Sequence, residues 1–132
     1  DRTLSRVCIT ERGTTFGYQN LVVDMTGLQI IKDTTNNIPL IIDGTHAVQQ
    51  PATTDGKSGG NRSFVTNLVQ AALTYKLAGV FIECHEDPDN APSDGPNALH
   101  LKDMPKILQT LKEIDNFIKE WTNELMENIY RR

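Results

Sequence analysis

Four things are scarce in this 132-residue chain: long apolar runs, excess positive charge, cysteine, and any basic-then-apolar leader. The uninterrupted apolar stretches are only a handful of residues long. A membrane-spanning helix needs about 18 or more. Thirteen Lys and Arg stand against 17 Asp and Glu, a formal net charge of -4. That is the opposite of the clustered basic excess expected for nucleic-acid binding. Cys8 and Cys84 lie in or at the end of apolar runs, where reduced core thiols are expected rather than a disulfide framework. Nothing points to secretion, so a cytoplasmic location is the default expectation. The length suits one domain spanning 1–132, and no internal repeat shows in the residues themselves.

What is present is a recurring order of short apolar runs, each followed by a polar cluster. Val7-Cys8-Ile9 leads to Glu11-Arg12-Gly13, and Pro39-Leu40-Ile41-Ile42 leads to Thr45-His46. Ala78-Gly79-Val80-Phe81-Ile82 leads to Glu83-Cys84-His85, with Ser93-Asp94-Gly95-Pro96 close behind. Buried parallel strands read as continuous apolar runs, and in α/β barrels the chemistry sits where those strands end.

Between these runs the pattern becomes helical. Ser5 to Thr10 reads as a first strand and 14–20 as a loop. Met25, Leu28 and Ile31 then mark a helix within 23–34. A second strand covers Pro39 to Asp43, entered through a proline that needs no ladder donor. Residues 49–60 carry Pro51, Gly56, Ser58, Gly59 and Gly60, the composition of a mobile loop. Asn61 or Ser63 can cap the next helix, whose stripe is Val65, Leu68, Val69, Ala72 and Leu73. A third strand runs from Ala78 to Ile82, and 86–97 is a long loop with three prolines. From about Lys102 the chain reads as helical to its end, with Ile107, Leu108, Leu111, Ile114, Ile118 and Trp121 on one face. Residues 119–132 form a helical extension. The order βαβαβα implies parallel strands.

Four strings in register carry a family resemblance: ERGTTFGYQNLVVDM, IIDGTHAVQQ, SGGNRSFV and AGVFIECHEDPDNAPSDGPNAL. They resemble the C-terminal part of the 3-deoxy-D-manno-octulosonate-8-phosphate synthases, from about Arg6 to Ile118. The related 3-deoxy-heptulosonate-7-phosphate synthases match these strings less well. The resemblance implies an α/β fold of the (β/α)8 TIM-barrel type, with this chain covering about three βα units, strands six to eight. It implies condensation of phosphoenolpyruvate with D-arabinose 5-phosphate, with release of phosphate, in lipopolysaccharide biosynthesis. These barrels start at roughly 200 residues. Three strands alone would leave two unpaired edges. The expected partner is therefore the N-terminal half of the barrel, without which this chain is expected to be inactive. The complete enzyme is expected to be a homo-oligomer. Two alternatives stand beside this: a non-catalytic half-barrel acting in assembly, and a synthase acting on another sugar phosphate.

The resemblance also implies roles for single residues. Arg12 binds phosphoenolpyruvate, for which a planar fork of donors is suited; paired with Glu11 it would merely end a strand. His46 lies by the phosphoenolpyruvate phosphate and in some members ligates a metal; taken alone, it reads as a hydrogen-bonded core residue. Glu83 and Asp94 complete a donor set of His46, Glu83 and Asp94, giving a cofactor expectation of none or one divalent metal ion. Asp94 also faces the sugar, where it orients or deprotonates water, and His46 and Asp94 are the expected catalytic pair. Glu83 can instead pair with Arg12 or with a lysine from the other barrel half. Ser93 leans toward the metal users and Pro96 away from them, and Glu86 departs from the proline usual in its string. Gln49, Gly56, Ser58, Gly59, Gly60 and Arg62 belong to the expected substrate lid, with Arg62 either holding it or merely solvated. His85, His100 and the charges of the last helix read as structural or surface positions.

Overall fold

The computed structural model describes residues 7–16, 20–51 and 59–130, the side chains of 124 and 126–130 excepted. In chain order the elements are β1 (Ile9–Glu11), β2 (Thr14–Thr15), β3 (Leu21–Val22), α1 (Met25–Thr34) and β4 (Leu40–Asp43). There follow β5 (Gln49–Gln50), β6 (Gly59–Gly60), α2 (Val65–Leu73), β7 (Gly79–Phe81), β8 (Cys84–His85), β9 (Leu99–His100) and α3 (Met104–Tyr130).

β1, β4 and β7 form a parallel sheet in that order, with Ile9 opposite Leu40 and Ile42 opposite Val80. Successive side chains on a strand point to opposite faces. Leu40 and Ile42, with Ile9, Val80 and Ile82 on the neighbouring strands, therefore share one face. There they meet Leu28 of α1, Val69, Ala72 and Leu73 of α2, Leu77, and Leu111 of α3. A smaller cluster joins Val65, Leu99 and Met104. On the other face lie Thr10, Ile41, Asp43, Gly79 and Phe81. Thr10 is exposed and Phe81 is 45% exposed. Among the described residues the sheet is thus packed on one side only.

The helices start where the sequence supplies caps. Asp24 accepts from the backbone N–H of Thr26 at 2.9 Å and begins α1. Asn61 does the same for Ser63 at 3.0 Å, opening a short 3-10 turn, Arg62–Phe64, that leads into α2. α1 ends where Asn36 and Asn37 both take left-handed φ values of 54° and 61°, a conformation asparagine tolerates.

Several expectations need correction. The first strand occupies Ile9–Glu11, not Ser5 to Thr10; Val7 is 44% exposed, Cys8 is exposed, and residues 5 and 6 lie outside the described residues. Pairing holds only where β4 supplies a partner, and that begins at Ile9. Within 14–20, Thr14–Thr15 is not loop but one arm of a small antiparallel pair with β3. Neither cysteine is a core thiol: both are free and exposed, and neither belongs to either apolar cluster. On α3, Leu108 is 49% and Trp121 50% exposed. The helix contributes Met104, Ile107, Leu111 and Ile114 to the core. At 1.5 Å per residue, Trp121 lies about 15 Å of axial rise beyond Leu111.

Candidate active site

The C-terminal end of β4 carries Asp43-Gly44-Thr45-His46. Asp43 is buried, and its carboxylate engages His46 twice. The backbone N–H of His46 donates to Oδ1 at 2.9 Å, and Nδ1 lies 2.7 Å from Oδ2. An ionised carboxylate only accepts, so the ring's proton sits on Nδ1 and Nε2 is the atom turned outward. That atom is 3.5 Å from Oε1 of Glu83. Phe81 stacks on the imidazole, with ring centroids 5.9 Å apart and planes at 28°.

Glu83, between β7 and β8, is held by the segment that follows β4. The fully buried Thr45 hydroxyl accepts from the backbone N–H of Glu83 at 2.7 Å, and Gly44 N–H donates to the Phe81 carbonyl at 3.0 Å. These bonds lace together the ends of β4 and β7.

Asp94 arrives from the 86–97 loop with a left-handed φ of 51°, sparsely populated for a residue with a side chain. Its carbonyl accepts from Asn97 N–H and Ala98 N–H, both at 2.9 Å. Its carboxylate accepts from Gln49 Nε2 at 3.0 Å. One ligand atom each from His46, Glu83 and Asp94 lies within 4.8 Å of the others, and all three residues are half-buried. Two ligand atoms bound to one ion at about 2.0–2.3 Å lie within about 4.6 Å of each other, and His46 Nε2 and Glu83 Oε1 are 3.5 Å apart. One imidazole nitrogen and two carboxylates form a donor set suited to zinc, iron or manganese. The residues fit a divalent cation.

The structure thus brings His46, Glu83 and Asp94 together from three separate segments. Arg12 follows the carboxyl end of β1 and is exposed; among the described residues no hydrogen bond or ion pair reaches it. Its proposed strand-end partner, Glu11, instead accepts from Gly13 N–H at 2.6 Å. Of the lid residues, Gly56 and Ser58 lie outside the described residues. Gln49–Gln50 pairs antiparallel with Gly59–Gly60. A Cβ on Gly60 would collide with the buried Asn97 side chain. Arg62 is not a solvated helix-start charge. Nη2 donates to Asp89 Oδ1 at 2.6 Å and to the Gly95 carbonyl at 2.9 Å, with Nη1 3.5 Å from His100 Nε2. His85 Nδ1 accepts from Asp87 N–H at 3.0 Å on the surface.

Sequence reasoning missed Asp43, the residue that orients His46. The signal was available: Asp43 ends a buried strand three residues before the histidine, on the face opposite Leu40 and Ile42. It also missed Asn97, which is wholly buried and whose Oδ1 has no hydrogen-bond partner among the described residues.

Residues 3–120 match the DAHP synthetase I family. The chain belongs to that family. It is similar to the 2-dehydro-3-deoxyphosphooctonate aldolase of Agrobacterium fabrum, 53% identical over 113 residues, covering 86% of this chain and 39% of that one. The protein of the same name from Methylobacterium radiotolerans is 50% identical over 116 residues, 88% of this chain and 41% of its own. That from Rickettsia bellii is 48% identical over 114 residues, 86% and 41%. The chain therefore spans about two-fifths of the length of these relatives. The α/β architecture with parallel βα units agrees with the barrel expected of the family.

Proposed function

We propose that this chain forms strands six to eight of a (β/α)8 barrel that condenses phosphoenolpyruvate with D-arabinose 5-phosphate. The products are 3-deoxy-D-manno-octulosonate 8-phosphate and phosphate, with the other barrel half supplied on the same polypeptide or in trans. The observation that carries this is the convergence of His46, Glu83 and Asp94 within 4.8 Å at the carboxyl ends of parallel strands, where barrel enzymes place their chemistry. The unpacked sheet face supports it too, because parallel sheets are ordinarily covered on both sides. On this view that face is the barrel interior, filled by side chains of the other strands.

In the reaction, C3 of phosphoenolpyruvate forms a bond to the aldehyde carbon of the sugar while water adds to C2. The phosphate hemiketal then collapses by C–O cleavage, releasing inorganic phosphate. Arg12 and His46 bind the phosphoenolpyruvate end. Its carboxylate and phosphate match a guanidinium fork and, when both ring nitrogens carry a proton, an imidazolium donor. Asp94, already half-buried and aimed at the cluster, orients the sugar hydroxyls and accepts a proton from water. Glu83 turns its carboxylate toward the same space as His46 Nε2, 3.5 Å away. When bound, a divalent cation at these three residues supplies Lewis acidity and a fixed water position. Much of the rate acceleration is placement and charge stabilisation. A cytoplasmic location and a homo-oligomeric complete enzyme accompany this assignment.

The test is phosphate release from phosphoenolpyruvate by the completed barrel, measured against a panel of aldose phosphates. Release dependent on arabinose 5-phosphate, and lost in His46→Ala, supports the synthase. Release with a different aldose phosphate points to a relative of altered specificity. No release with any of them, from a folded protein, favours a non-catalytic half-barrel.

A further inference from the structure

Arg62 begins the 3-10 turn after β6, and 25% of its side chain is exposed. It grips the 86–97 loop at three points. Its backbone N–H donates to the Pro96 carbonyl at 2.9 Å, and Nη2 donates to the Gly95 carbonyl at 2.9 Å and to Asp89 Oδ1 at 2.6 Å. The two carbonyls are those immediately following Asp94. Gly95 is in turn pressed against the Pro88 carbonyl so closely that a Cβ there would collide with it.

Asp94 needs such support. A non-glycine residue at φ 51° sits in a sparsely populated region and persists there when its surroundings over-determine it. Two backbone bonds to its carbonyl hold one side of the turn. Arg62 holds the other, because a guanidinium offers a rigid fork with enough donors for carbonyl and carboxylate together. We propose that Arg62 is a positioning residue for Asp94, fixing the 94–97 turn so that the carboxylate meets His46 and Glu83. Its own hydrogen bonds go to Asp89, Gly95, Pro96 and His100, not to His46, Glu83 or Asp94. Its effect passes through the Gly95 and Pro96 carbonyls, and Gln49, donating to Asp94 Oδ1 at 3.0 Å, aligns the carboxylate from the opposite arm. This inference rests on the proposed use of the cluster as a cation and substrate site.

Calorimetric titration of Mn²⁺ into the completed barrel tests it, with Co²⁺ absorption as a second readout. Residues supporting metal ligands typically cost 10–100-fold in affinity when removed. Arg62→Ala should weaken Mn²⁺ binding by about that factor, and its Co²⁺ spectrum should shift toward that of Asp94→Asn. Arg62→Lys should recover part of the affinity, since an ammonium group donates to Gly95 and pairs with Asp89. If Arg62→Ala does not fold, Arg62→Lys and Asp89→Asn carry the test, each with a smaller loss in the same direction. Unchanged affinity and an unchanged spectrum in the folded variants overturn the inference while leaving the cation site intact. A wild-type protein that binds neither ion overturns the cation assignment, and this inference with it.

Discussion

Leu40 and Ile42 are 2% and 0% exposed, packed against helices on one face of the parallel sheet, while Phe81 on the opposite face is 45% exposed. Both faces come from the same three short strands. A single residue step along β4, from Ile42 to Asp43, passes from the middle of the apolar core to the carboxylate that orients His46. The packed face is closed by contacts the chain makes with itself. Beyond the carboxyl ends of the strands that make the open face, polar residues are tied mainly to one another: Asp43 to His46, Thr45 to Glu83, Gln49 to Asp94. On the proposed function, stability and chemistry are therefore separable in this chain, and substitutions on the two faces should have different signatures.

The sharpest separation should come from His46→Ala. In the completed barrel it should lower the turnover rate on the order of 10²–10³-fold, the usual cost of losing one group that stabilises developing charge. Its thermal midpoint should stay near wild type. The converse is Ile42→Ala, which should cost about 2–5 kcal/mol in denaturant unfolding, from lost burial plus the cavity left behind. The activity of the folded fraction should be preserved.

Thr45→Val tests the boundary between the faces. It removes the acceptor for the Glu83 N–H and leaves that donor unsatisfied, at a cost of about 1–3 kcal/mol. Because Glu83 then loses its anchor, this variant should lose both stability and activity, unlike the other two.

The smallest effect is expected at Asp24, the exposed N-cap of α1. The Thr26 hydroxyl, with the backbone N–H groups of Gly27 and Thr26, holds its carboxyl below the ordinary value of 3.8. A depressed folded-state pKa means that the stabilisation is present above the unfolded value and lost as pH falls through the folded one. Asp24→Ala should therefore lower the thermal midpoint slightly at pH 7. The difference from wild type should close on acidification below 3.8.

Much of this comparison was legible in the residues. The run Leu40-Ile41-Ile42 marks a buried strand, and the spacing of Met25, Leu28 and Ile31 marks a helix; both are local patterns that tertiary packing reinforces. The order of elements followed directly. His46, Glu83 and Asp94 came from the family resemblance, and their convergence is a tertiary fact that no spacing contains. The β2–β3 pair escaped notice because two-residue strands have no period to detect. Cys8 and Cys84 were misplaced because an apolar run looks the same whether or not its end reaches the core. Trp121 fits the apolar stripe of α3 perfectly well. The helix simply outruns the sheet it packs against.

The most direct test of the central claim is Asp94→Asn in the completed barrel, assayed for phosphate release and thermal unfolding on the same sample. Asparagine tolerates the left-handed backbone and can still accept from Gln49, so only the charge is removed. The account predicts that phosphate release falls by at least tenfold while the thermal midpoint is unchanged. A loss of stability in proportion to activity, or full activity without the carboxylate, would contradict it.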